Sequence, residues 1–171
     1  MTDVPVLRSL GASDRGLLRT ATFLNMNWTG EQRFTYRDID RARELRHYFG
    51  FCASRGDFGF VAELDGVTVG VVWLLFLDSG DPGFGFVGEG VPELSIAVWP
   101  GYRGRGIGRL LIAAALGEAA ALGEAGVRGP ARVSLSVEHG NPALGLYRSV
   151  GFERAEGCPE GTWALNLTET P

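Results

Sequence analysis

Residues 92 to 122, PELSIAVWPGYRGRGIGRLLIAAALGEAAAL, constrain this chain more than any other stretch. Leu94 to Val98 is a short apolar run whose Ile and Val suit a strand. Pro100 lacks a ladder donor and Gly101 turns easily, so the strand is expected to end there. Arg103-Gly104-Arg105-Gly106-Ile107-Gly108 comes next, and a run of good helix formers extends from Arg109 to Leu122. Strand, glycine-rich turn and helix N-terminus in that order make an anion site. The unpaired N–H groups of the first helical turn point at a ligand, and the helix dipole favours negative charge there. Glycines without Cβ let phosphate oxygens approach the backbone, and Arg103, Arg105 and Arg109 can add charge-assisted bonds. The stretch is expected to bind phosphate.

Two other phosphate loops do not fit. A P-loop needs GxxxxGK[ST], and the chain has no Gly-Lys pair. The dinucleotide fingerprint needs GxGxxG directly after its strand, whereas here the pattern is GxGxG with residues intervening after Pro100. The bulk properties narrow the field further. A length of 171 residues suits one domain, residues 1 to 171, with a sizeable core, and 45% hydrophobic with 21% charged residues is ordinary for a globular protein. A net charge of −4 argues against nucleic acid as a partner. Cys52 and Cys158 have no metal-ligand spacing and form no disulfide framework, so reduced thiols are expected and no metal is implied. The N-terminal MTDVPVLRSL lacks the build of a signal peptide and no apolar run is long enough to span a bilayer, which together predict a cytoplasmic protein with no membrane partner.

Taken in order, the chain opens with a strand over Val4 to Leu10. Ser13 can cap a helix from Asp14 to about Asn25, and NMNWTGEQRFTY reads as a loop. A second helix is expected from about Asp38 to Phe49, with Ile39, Ala42, Leu45 and Phe49 near helical spacing. Phe58 to Leu64 and Val67 to Leu77 are β-rich runs joined by Asp65-Gly66, a type I′ hairpin signal. The second run is nearly all apolar and suggests a central strand covered on both faces. Asp78 to Pro92 is Gly-rich and reads as a long hairpin connection or mobile loop beside the site. After the central helix, Gly123 to Pro130 carries the turn to a strand from Arg132 to Val137, with parallel pairing through a right-handed crossover. Asn141 and Pro142 open a helix to about Val150, Gly151 stops it, and Phe152 to Ala155 and Thr162 to Leu167 are closing strands. The expected order is β-α-α-β-β-β-α-β-α-β-β, an α+β fold with a mixed sheet.

The string Val98-x-Pro100-x-x-Arg103-Gly104-x-Gly106-Ile107-Gly108 closely resembles the acyl-CoA loop of the GNAT superfamily of N-acetyltransferases. A second cluster, from Asn141 through Tyr147 to Gly151-Phe152, resembles the other signature of that family, N-x-x-A-x-x-x-Y-x-x-x-G-F. It departs from the pattern in having Leu144 or Ala143 at the usual alanine, and Gly145 inside the helix costs roughly 1 kcal/mol against Ala. The match is strongest from Glu93 to about Phe152, and the element order fits the superfamily throughout.

The resemblance implies a GNAT-type mixed sheet whose central parallel strands, Leu94–Val98 and Arg132–Val137, splay into a wedge. Pantetheine amides of acetyl-CoA would bond the free backbone of Ile96, Ala97 and Val98, as an added strand does. The pyrophosphate would rest on the amides of Gly104, Arg105, Gly106, Ile107, Gly108 and Arg109. A primary amine would then attack the thioester directly, with proximity supplying much of the rate. An amine attacks only when neutral, and a Lys-like amine has a pKa of about 10.4, so a carboxylate must take its proton directly or through a water. Glu93 is the best placed, being either that base or a solvated strand-end charge. Glu89 and Glu138 are weaker alternatives, and His139 is nearby. By resemblance Tyr147 is the acid that protonates the leaving thiolate, although Ala143, Tyr147 and Val150 could equally share a packed helix face. Asn141 reads both as helix cap and as contact to pantetheine. Trp28, Phe34 and Tyr36 are candidate acceptor contacts by resemblance, or aromatics packed under a loop.

Neither cysteine lies in the motif region, which speaks against a covalent thioester relay. A non-catalytic acyl-CoA-binding or sensing module is the alternative function, and a dinucleotide-dependent oxidoreductase fails on glycine spacing. The acceptor amine and the length of the acyl group are open. Nothing in the sequence decides between a monomer and a homodimer.

Overall fold

The computed structural model describes residues 4–124 and 129–167. It holds one seven-stranded mixed sheet in the order β1-β2-β3-β4-β5-β7-β6. The strands are β1 (Val6–Ser9), β2 (Phe58–Leu64), β3 (Val67–Leu75), β4 (Glu93–Val98), β5 (Arg132–Ser136), β6 (Glu153–Arg154) and β7 (Thr162–Asn166). All neighbours are antiparallel except β4 and β5. The helices are α1 (Arg15–Met26), α2 (Tyr36–Arg41), α3 (Arg43–Arg46), α4 (Ile107–Glu124) and α5 (Ala143–Ser149). The expected α+β mixed sheet and element order are what the chain adopts. Part of the expected turn from Gly123 to Pro130, residues 125 to 128, lies outside the described residues.

Each face of the sheet carries its own core. On one, Val72, Leu74, Leu94, Val133 and Leu135 pack against Leu111, Ile112 and Ala115 of α4, with Tyr147 and Phe152. On the other, Val61, Val71, Trp73, Leu75 and Ala97 meet Leu18, Ala21, Ile39, Leu45, Tyr48 and Phe49. Burial on both sides explains why β3 is apolar almost throughout. Its hairpin with β2 turns at Asp65 and Gly66, with φ of 50° and 77°, as a type I′ turn requires.

Two local expectations change. Ser13 does not cap α1; the Asp14 carboxylate instead accepts the Gly11 N–H at 2.9 Å and is clasped by Arg8 of β1. The expected helix over Asp38–Phe49 is broken into α2, α3 and a 3₁₀ turn, His47–Phe49, with Ala42 extended at ψ 113°. Thr35 and Asp38 form a capping box that starts α2 two residues early. The break has a geometric cause: six residues at about 100° each would turn Leu45 well away from Ile39 on a continuous helix. Resetting the chain at Ala42 buries both.

The segment between β3 and β4, residues 76 to 92, is a hairpin connection, but not a loose one. Gly85 lies so close to β5 that a Cβ there would stand 2.5 Å from the Leu135 carbonyl carbon. The connection therefore crosses directly over the junction of β4 and β5.

Candidate active site

β4 and β5 share a single register pair, Glu93 with Ser134, reinforced by the Ser134 N–H donating to Pro92 O at 3.0 Å. Beyond it the parallel strands part, so the sheet is split toward their C-terminal ends. Alternation along β4 decides which groups face the split. Pro92 O points to β5, while the Trp99 N–H donates to Val69 O of β3 at 2.9 Å. Even-numbered residues therefore turn their backbone toward the gap and odd-numbered ones toward β3. Ile96 and Val98 offer free peptide groups there, except that Val98 O already accepts Arg103 Nε at 3.1 Å. Ala97, paired with Val71, has its backbone committed to β3, which corrects its expected part in ligand binding.

The glycine-rich turn sits at the mouth of this gap. Gly104 and Gly106 have φ of 75° and 82°, where an L side chain is strained. Among the described residues, the backbone amides from Gly104 to Arg109 donate to no protein acceptor, and the first ladder bond of α4 is Leu110 N–H to Gly106 O. Gly108 serves packing instead. A Cβ there would lie 3.0 Å from Leu146 Cδ2, so its absence lets α4 approach α5. The arginines are exposed. Arg103 folds onto Val98 O, Arg105 donates to Gly101 O at 3.1 Å, and Arg109 donates to Ser149 Oγ at 2.9 Å. Asn141 accepts the Ala143 N–H on its side-chain oxygen at 3.0 Å, so its capping role is seen.

Glu93 and Tyr147 approach the split from opposite faces. Tyr147 belongs to the α4–α5 core, 7% exposed, its ring edge-on to Phe152. Its hydroxyl has no protein hydrogen-bond partner among the described residues, and burial pushes its pKa up to about 12, so the phenol keeps its proton at neutral pH. Glu93 is on the α1–α3 side and only 4% exposed, not a solvated strand-end charge. Its Oε1 accepts Tyr48 Oη at 2.7 Å, while Oε2 is buried without a hydrogen-bond partner. Burial pushes the carboxyl up to about 7, opposed by the Tyr48 bond and the neighbouring Gly85 amide.

The other acids are occupied. Glu138 accepts both terminal nitrogens of Arg33 at 3.0 Å and also the Trp28 indole N–H. The Arg33 hydrogen bonds, helped by Trp28, hold its carboxyl below the usual range, which suits a latch and not a base. Glu89 is exposed and accepts the Ser79 N–H at 3.0 Å; His139 is also exposed. Trp28 and Arg33 thus tie the α1–α2 loop to the end of β5, with Phe34 under the Arg33 guanidinium. Tyr36 stands apart from them, stacked on Phe23 at 4.2 Å beneath Arg19. Sequence reasoning did not find Tyr48, Arg33 or Ser134, because their partners lie 45, 105 and 41 positions away along the chain. Among the described residues no group of three His, Cys, Asp or Glu could hold a metal ion, and no helix is long and apolar enough to cross a membrane.

The sheet is thus split between two parallel strands, with unpaired amides at its mouth and a titratable group on each face. Residues 55–154 match the family described as an acetyltransferase (GNAT) domain, more than half of the chain, and the chain belongs to that family. An uncharacterised protein of Mycobacterium leprae is 46% identical over 61 residues, which are 35% of this chain and 14% of that protein's length. The fold is shared with a GNAT-family acetyltransferase from Staphylococcus aureus, at TM-score 0.67 and 16% identity over 95% of this chain and 99% of that one. YncA of Salmonella typhimurium, solved with its cofactor acetyl-CoA, aligns at TM-score 0.65 and 22% identity over 98% and 96% of the two chains. A phosphinothricin acetyltransferase from Sinorhizobium meliloti, also with acetyl-CoA, aligns at 0.63 and 19% over 98% and 92%.

Proposed function

We propose that the chain acts as a single N-acetyltransferase domain that moves an acetyl group from acetyl-CoA to a primary amine by direct attack within a ternary complex. The observation that carries this reading is the split between β4 and β5 directly below a run of unpaired amides. Family membership supports it, as does the presence of acetyl-CoA in two structures of the same fold. In this reading the pyrophosphate lies on the amides of Gly104 to Arg109, with Arg103, Arg105 and Arg109 released from their resting contacts to pair with phosphate. Pantetheine bonds the gap-facing peptides of Ile96 and Val98 and the side-chain amide of Asn141.

The amine nitrogen attacks the thioester carbonyl carbon, the C–S bond breaks, and the electron pair leaves on sulfur. Tyr147 gives its proton to the thiolate, and the proton lost by the amine goes to Glu93. The products are an amide and free CoA, and solvent returns both side chains to their starting states. Glu93 suits the base role because its affinity for a proton lies near neutral pH, where it can both accept and release one. Glu93 acts from the α1–α3 face, so the acceptor enters from the side latched by Trp28, Arg33 and Glu138.

The burial of Glu93 also favours a second reading, a module that binds acyl-CoA without transferring the acyl group. Thiol release separates the two. With acetyl-CoA and a panel of amino acids, polyamines, a peptide N-terminus and protein lysines, CoA release should depend on one amine class. Tyr147→Phe should slow it on the order of 10²-fold or more. Binding of acetyl-CoA with no release for any amine would favour the second reading.

A further inference from the structure

We propose that Tyr48 is a positioning residue that fixes which oxygen of Glu93 takes up the proton, and ties that carboxyl to the crossing at Gly83–Gly85. The inference rests on Glu93 being the base. Tyr48 lies in the 3₁₀ turn after α3 and is 7% exposed, outside every motif. Its carbonyl oxygen accepts the Trp73 indole N–H at 2.9 Å, which anchors the turn to β3.

The hydrogen-bond directions at its hydroxyl follow from valence. The Phe84 backbone N–H can only donate, and it reaches Tyr48 Oη at 2.8 Å. Oη therefore accepts from Phe84, and its one proton goes to Glu93 Oε1 at 2.7 Å. With Oε1 accepting the Tyr48 proton, an arriving proton goes to Oε2, which it can occupy without reversing the Tyr48 hydrogen bond. Oε2 is the oxygen without a protein partner, and it lies against Gly83, where an added Cβ would overlap it. The Tyr48 and Phe84 rings stack at 6.1 Å, and Phe84 is 50% exposed at the surface of the crossing. Tyr48 therefore couples Oε1 to the crossing through the Phe84 N–H, while Oε2 faces Gly83 on the other side of the carboxyl.

No other charged group of the described residues pairs with this carboxyl. On the 3₁₀ turn His47 lies beside Tyr48 with Nδ1 3.3 Å from Asp81 Oδ1, and on α3 Arg43 reaches Gly80 O. On the crossing, Asp78 accepts the Gly80 N–H and Glu89 accepts the Ser79 N–H. β5 contributes Ser134, whose buried hydroxyl has no partner. Arg15 and Arg19 of α1 lie over Phe49 and Tyr36.

The test is the pH profile of kcat/KM for the most active amine in the wild-type enzyme, Tyr48→Phe and Glu93→Gln. Losing a hydrogen bond to the charged carboxylate should move the acidic limb of Tyr48→Phe upward by about one pH unit, with activity returning at alkaline pH. A uniform loss at every pH, with the limb where the wild type has it, would overturn the proposal while leaving Glu93 as base. Full activity in Glu93→Gln would overturn the base reading and this proposal with it. A measurement on the unsubstituted protein needs no Tyr48 variant. The Tyr48 Cζ carbon shift should titrate with Glu93 in the wild type and be flat in Glu93→Gln, and a flat Tyr48 signal in both would contradict the proposal.

Discussion

At the scale of single residues, Glu93 leaves a signature that does not depend on catalysis. In the folded protein its carboxyl titrates near 7, against 4.5 for an ordinary glutamate. Between those values the folded chain holds a proton that the unfolded chain has released, so unfolding becomes easier as pH rises through that window. The contribution is intact below pH 4.5 and gone above 7, a difference on the order of 3 kcal/mol. Urea unfolding at pH 5 and pH 8 should therefore show the stability of Glu93→Gln gaining on the wild type by about that amount as pH rises. A constant gap between the two would mean that Glu93 ionises normally. Tyr147 was legible in the sequence because it belongs to a signature with fixed spacing, and Glu93 because it opens the strand that leads into the glycine-rich turn. Tyr48 was not: it stands near the end of the expected second helix, and nothing local says that its hydroxyl reaches an acid 45 residues on.

At the scale of elements, the glycines of the chain divide by what their backbone must do. Gly106 is left-handed and exposed at the start of α4, so Gly106→Ala should cost about 1–2 kcal/mol in strain and weaken acetyl-CoA binding by disturbing the amides beside it. Gly117 lies mid-helix in α4 with open space around the position of a Cβ, and Gly117→Ala should stabilise by about 0.5–1 kcal/mol without touching the site. Thermal midpoints of the two variants, moving in opposite directions, check both. β2 and β3 were read closely from the sequence because Asp65-Gly66 fixes the hairpin from within four residues. The break at Ala42 escaped it. Spacings of three drift slowly enough to pass for a helix, and only the tertiary demand to bury both Ile39 and Leu45 exposes the drift.

At the scale of the whole molecule, the topology makes the site. One parallel pair stands among antiparallel neighbours, and it is held at Glu93 and Ser134 alone, so the sheet opens where α4 begins. The split was expected from the resemblance, whereas the way the connection from β3 closes over it was not. Close approach of Gly83 and Gly85 to Glu93 and β5 is a relation between segments that no local pattern encodes. The absence of lysine from the sequence simplifies any assay, because acetyl groups cannot accumulate on lysines of the enzyme itself. What matters most is whether acetyl-CoA occupies the split with its pyrophosphate on the turn. Calorimetric titration of the wild type and Gly106→Ala with acetyl-CoA tests this most directly. The expected result is one site per chain, with affinity falling in the variant while its fold is retained. No heat of binding in the wild type, or equal affinity in the two proteins, would contradict it.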